Sequence, residues 1–92
     1  MPQANVNGEA ISDHHTAYAK ESISLDCHSM YARDLQTKFT WQAETYDGNL
    51  NIPTSRAVLA NLKRNNTGKY TCSAKDDFGT FSTSFYLDVE CE

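Results

Sequence analysis

Apolar and polar residues alternate along four stretches of this chain, the signature of β-strands with one face buried. From Ser22 to His28, Ile23, Leu25 and Cys27 point one way while Ser24, Asp26 and His28 point the other. From Lys38 to Ala43, Phe39, Trp41 and Ala43 share one side, and Lys38, Thr40 and Gln42 share the opposite one. Between Gly68 and Lys75, Tyr70, Cys72 and Ala74 are in phase against Lys69, Thr71, Ser73 and Lys75. The longest run, Thr80 to Cys91, sets Phe81, Thr83, Phe85, Leu87, Val89 and Cys91 against Ser82, Ser84, Tyr86, Asp88 and Glu90. An antiparallel sheet with a wet outer side predicts this division.

Turn-forming residues punctuate these runs: Asp47-Gly48-Asn49, Pro53-Thr54-Ser55, Asn65-Asn66-Thr67-Gly68 and Asp76-Asp77-Phe78-Gly79. The last closes a hairpin, with Gly79 where a left-handed residue is needed. Ala57 to Leu62 reads as a weaker strand, with Ala57 and Leu59 inward and Leu62 closing the turn behind them. At the N-terminus Val6, Ile11, Ala17 and Ala19 are loosely spaced and His14-His15 interrupts them. That pattern reads as a short split edge strand, with residues 1–10 a linker or a loosely ordered part of it. Helical periodicity is missing beyond one turn, and no internal repeat occurs, so about seven short strands point to an all-β antiparallel sandwich.

The length of 92 residues suits one domain over 1–92, because two halves of it would each be too small to bury a core. Hydrophobic residues make up 39% and charged residues 22%, the balance of a folded protein. The net charge of −4 comes from scattered acids, and Lys and Arg form no run, which argues against nucleic acid or an anionic membrane as partner. No apolar stretch reaches the roughly 18 residues that direct membrane insertion requires, and Met-Pro-Gln-Ala-Asn is not a secretory signal. Met1 reads as a start placed before an excised domain, so neighbouring domains and targeting sequences are expected elsewhere in a longer chain.

Cys27, Trp41 and Cys72 all fall on inward faces, with the indole between the cysteines in sequence. Asn66-Thr67-Gly68-Lys69-Tyr70-Thr71-Cys72 is similar to the segment acid-x-Gly-x-Tyr-x-Cys of the immunoglobulin superfamily. The resemblance covers Ser22 to Val89. It implies a Greek-key sandwich in which Cys27 and Cys72 form a disulfide between opposing sheets and Trp41 packs on it. Tyr70 then supplies the tyrosine corner, and Gly68 the backbone conformation of its turn. The interval from Trp41 to Cys72 is too short for the two added strands of variable domains, so the subtype resembles the I-set. Two departures stand out. Asn66 replaces the usual acid, which reduces an ion pair with Arg56 to at best a neutral hydrogen bond. His28-Ser29-Met30-Tyr31 replaces the Gly and Pro pattern typical of muscle-filament members.

Three cysteines leave Cys91 over once the implied bridge is made. It is either an inert thiol continuing the inward face or a bridge to a neighbouring domain or second chain. The sequon Asn65-Asn66-Thr67 makes Asn65 a glycosylation candidate, and with the bridge it favours an extracellular or cell-surface location.

Enzyme readings fail on the residues present. His14, His15 and His28 could suggest zinc, but two cysteines belong to the core and no Cys-x-x-Cys pair exists. Asp76-Asp77 with Asp47 could suggest calcium, yet polar hairpin tips are the ordinary explanation. Neither a nucleophile paired with a base nor a phosphate-binding loop is recognisable, so no catalytic residue, metal or cofactor is expected. For protein contact, one candidate is Tyr86 with Lys38 and Gln42 on the outer face of the second sheet. A competing one is the loop-tip set of Tyr46, Asp47 and Phe78. The resemblance implies a non-catalytic recognition module of a cell-surface adhesion molecule or receptor ectodomain, its partner another protein. The alternative is an intracellular spacer of a muscle or cytoskeletal filament.

Overall fold

Two facing sheets account for the alternation. The computed structural model describes residues 2–11, 13–29, 37–77 and 79–91. Along the chain run β1 (Pro2–Val6), β2 (Glu9–Ile11), β3 (His14–Tyr18), β4 (Ile23–Ser29), β5 (Lys38–Thr45), β6 (Gly48–Ile52) and β7 (Arg56–Leu59). A 3-10 turn at Arg64–Asn66 leads to β8 (Gly68–Asp76) and β9 (Gly79–Glu90). One antiparallel sheet has the order β2-β1-β4-β7, the other β3-β9-β8-β5-β6. Only the β3 to β9 pairing is parallel among the pairs of the described residues.

The inner faces interlock where the sequence places its largest apolar residues. Cys27 on β4 and Cys72 on β8 are bridged across the two sheets, with Cα atoms 5.9 Å apart. Trp41 lies directly opposite Cys72 in the β5 to β8 ladder and is 1% exposed. Its indole nitrogen donates to the Ser55 carbonyl at 2.9 Å, so the one polar atom of the ring is satisfied. Phe85 meets Trp41 edge to face at 6.1 Å and Tyr70 in a stacked pair at 5.6 Å. Leu25, Leu62, Leu87 and Val89 complete the centre.

The N-terminal stretch is built more firmly than a linker or loosely ordered edge. β1 is flanked on both sides, by β2 and by β4, and Ala4 and Val6 are buried. The turn between β1 and β2 is Asn7-Gly8, both with positive φ (53° and 85°), the pair that a two-residue hairpin with strand-matching twist requires. β3 then leaves this sheet for the edge of the other, so the strand is split between the two.

Gly68 acts differently from the expected turn conformation. Its φ is not in the left-handed region; instead β8 passes so close to β5 that a Cβ there would overlap the Glu44 carbonyl. Gly79 does adopt positive φ, 139°, at the β8 to β9 hairpin. β6 is a further strand that the alternation did not predict, added beside β5 by the Tyr46-Asp47 turn.

Candidate recognition face

The outward side chains of the five-stranded sheet fall into rows fixed by the ladder registers. Glu44, Lys69, Tyr86 and His14 form one row, followed by Gln42, Thr71 and Ser84, then Thr40, Ser73 and Ser82, then Lys38, Lys75 and Thr80. The second and third rows hold only Gln42, serines and threonines, and Thr71 and Ser84 share a 2.9 Å hydroxyl contact across β8 and β9.

Aromatic groups concentrate in the first row. Tyr86 is 41% exposed, and its ring lies parallel to that of His14 at 6.3 Å. Tyr46, 74% exposed on the adjoining turn, places its hydroxyl 3.5 Å from the Tyr86 hydroxyl. That hydrogen bond, then desolvation and the charges of Tyr46 and Asp88, raises the Tyr86 pKa above its ordinary value. The turn carrying Tyr46 is itself anchored, because the amides of Tyr46 and Asp47 donate to the Thr67 and Asn65 carbonyls. An open depression of 230 Å³ beside the row is lined by Asp13, Lys69, Ser84, Phe85 and Tyr86.

The residues singled out from sequence are only partly brought together. Gln42 sits in the row next to Tyr86, whereas Lys38 lies at the far end of β5, six residues and so about 20 Å along the strand. Tyr86 and Lys38 therefore share a face but not a patch. The turn carrying Tyr46 and Asp47 and the hairpin closed by Asp76 and Gly79 are likewise at opposite ends of the sheet. Phe78 lies outside the described residues, as do Met30 and Tyr31. Sequence reading missed His14 as a neighbour of Tyr86, because only the parallel register of β3 on β9 places them side by side.

Asn65 is exposed on the 3-10 turn, while the sequon's third residue, Thr67, is 5% exposed. The Thr67 hydroxyl accepts the Val89 amide at 3.0 Å, which gives this threonine a structural reason to be present. Asn66, standing for the usual acid, accepts the Lys63 amide on its side-chain oxygen at 2.8 Å and the Tyr70 hydroxyl on its carbonyl at 2.7 Å. Cys91 is exposed beyond the end of β9, so the buried face stops at Val89 and the thiol does not continue it. Phe81, at the opposite end of β9, is also largely exposed at 49%. Among the described residues, no three His, Cys, Asp or Glu side chains converge as metal ligands. No helix among them is long and apolar enough to cross a membrane.

No family model matches the chain. Over 71 residues, 75% of its length, it is 32% identical to Cell adhesion molecule 3 of Xenopus laevis, and it spans 18% of that protein's length. Among solved structures, 98% of the chain superposes on 96% of a chimeric titin Z1Z2 functionalized with a KLER exogenous peptide from decorin. The TM-score is 0.56 at 11% identity, a likeness of fold. The chain is an immunoglobulin-type domain. Its inter-sheet disulfide, buried Trp41 and the Tyr70 hydroxyl tied to the Asn66 carbonyl are features of that fold. The immunoglobulin-type sandwich presents its aromatic row on the face opposite that core.

Proposed function

We propose that this immunoglobulin-type domain is a non-catalytic protein-recognition module of a cell-surface adhesion molecule. The observation that carries the reading is the cluster of Tyr86, Tyr46 and His14, exposed together beside rows of Gln42, serines and threonines. Large amphipathic rings held in place by neighbours contribute contact area at low entropic cost, and charged Lys69 and Glu44 flank them as a polar rim. The similarity to Cell adhesion molecule 3 and the Cys27 to Cys72 bridge support an extracellular setting with further domains in the same chain. Gln42 belongs at the margin of this contact surface.

Beads coated with the domain, mixed with one another and with beads carrying Cell adhesion molecule 3, provide the test. Clustering in either mixture, lost on Tyr86→Ser while the melting temperature is unchanged, is the expected result. Failure of both mixtures to cluster, or clustering indifferent to Tyr86 and Tyr46, overturns the reading. A native protein recovered reduced at Cys27 and Cys72 would instead favour a filament spacer.

A further inference from the structure

Four strands end the two sheets: β2 and β7 in one, β3 and β6 in the other. An edge strand exposes unpaired backbone amides and carbonyls, and charge along it normally blocks further pairing. β2 carries Glu9, β7 carries Arg56 and β3 carries two histidines, whereas β6, Gly48-Asn49-Leu50-Asn51-Ile52, carries no titratable group. We propose that β6 is a self-pairing edge, which joins two copies of this domain through antiparallel β6 to β6 contact into one continuous sheet.

The register follows from backbone direction. In an antiparallel ladder both hydrogen-bonding groups of a residue point to the same side, and the side alternates along the strand. The Tyr46 amide bonds Thr67, just ahead of β8, so the even-numbered residues of β5 turn to β8 and Thr45, Ala43 and Trp41 turn to β6. Their partners Gly48, Leu50 and Ile52 are occupied by β5, which leaves the amide and carbonyl of Asn49 and Asn51 directed at the edge that no other described strand covers. A two-fold axis through Leu50 sets Asn49 of one copy opposite Asn51 of the other, so four backbone hydrogen bonds form. Leu50, 39% exposed, then meets its own counterpart in the closely spaced, non-hydrogen-bonded position.

Side chains are compatible with the same register. Glu44 is in line with Asn49 and Gln42 with Asn51. The paired sheet therefore carries rows that run Glu44, Asn49, Asn51 and Gln42 from one copy into the next. Each carboxylate ends a row of amides, and the two Glu44 groups of the pair never share one. The charge of −4 on each copy thus places no like pair at the contact. An edge contact of five residues is smaller than the about 800 Å² per partner of a standard interface, so free domains pair weakly and clustered chains pair by avidity. The groups that make the pairing, the Asn49 and Asn51 backbone and the Leu50 side chain, lie outside the Tyr86 row, whose nearest member to them is Glu44.

Dilution series read by amide chemical shift test the pairing, in Cys91→Ser protein so that no thiol-linked dimer contributes. Concentration-dependent shifts are expected at Asn49, Leu50 and Asn51, with half-association on the order of 0.1 to 1 mM. Asn51→Pro removes an outward amide without touching the β5 ladder, and it should weaken association by about tenfold or more at unchanged melting temperature. Leu50→Lys, which opposes two ammonium groups, gives the same loss by a different route, and Tyr86→Ser leaves the association intact. A monomer up to about 1 mM, shifts centred elsewhere, or undiminished pairing in either edge variant overturns the proposal.

Discussion

The Tyr70 hydroxyl donates to the Asn66 carbonyl four residues upstream, at 2.7 Å, tying β8 to the turn that introduces it. Burial of this ring pushes its pKa from 10.0 to about 12. A proton held more tightly in the fold than in the unfolded chain adds stability that is complete below pH 10 and lost as pH rises toward about 12. Tyr70→Phe is expected to cost about 1 kcal/mol at neutral pH and to flatten the fall above pH 10. Urea unfolding of both proteins at pH 7 and across that alkaline window gives the comparison, and parallel alkaline slopes would contradict it.

Gly68 is required by proximity, since a methyl group there must displace the Glu44 carbonyl and with it the β5 to β8 ladder. Gly68→Ala should therefore destabilise by about 2 to 4 kcal/mol. Gly8, with open space around its Cβ position but φ of 85°, should lose only about 1 kcal/mol on the same change. Denaturant midpoints of the two variants check the order.

Thr67 separates structure from modification within the sequon. Thr67→Val strands the buried Val89 amide and is expected to cost about 1 to 3 kcal/mol, while Thr67→Ser keeps both the acceptor and the sequon. Asn65→Gln, at an exposed position, should change stability by no more than about 0.5 kcal/mol. Intact mass after secretion from a eukaryotic host should fall by one glycan in Asn65→Gln alone among the stable variants.

The Cys27 to Cys72 bridge closes a loop of sequence separation 45, worth about 4 kcal/mol on the chain-entropy account. Replacing both by Ala should lower unfolding free energy by about that amount, measured with guanidinium. Cys91→Ser, at an exposed thiol outside the sheet, should leave it within about 0.5 kcal/mol.

Sequence periodicity disclosed the sandwich wherever large apolar residues recur at every second position, as at Leu25, Trp41, Tyr70 and Phe85. It failed where strand formation depends on a neighbour. β6 has only Leu50 and Ile52 among glycine and asparagines, residues poor in strand propensity, and it exists because the turn after Thr45 returns it to β5. β1 and β2 were obscured because the Asn7-Gly8 hairpin signal sits beside short, mixed runs. Alternation also assigned Tyr86, Gln42 and Lys38 to one face, correctly, but face is a property of phase alone. Which row each occupies depends on the registers between strands, and these put Lys38 at the other end of the sheet.

One oxygen joins the halves of the molecule at a point where the chain crosses between them. The Ser55 carbonyl receives the Cys27 amide at 2.8 Å from one sheet and the Trp41 indole N–H at 2.9 Å from the other. Any excursion that swings this segment away must free both hydrogens at once, so the two should share a single opening event and exchange with deuterium at matched protection.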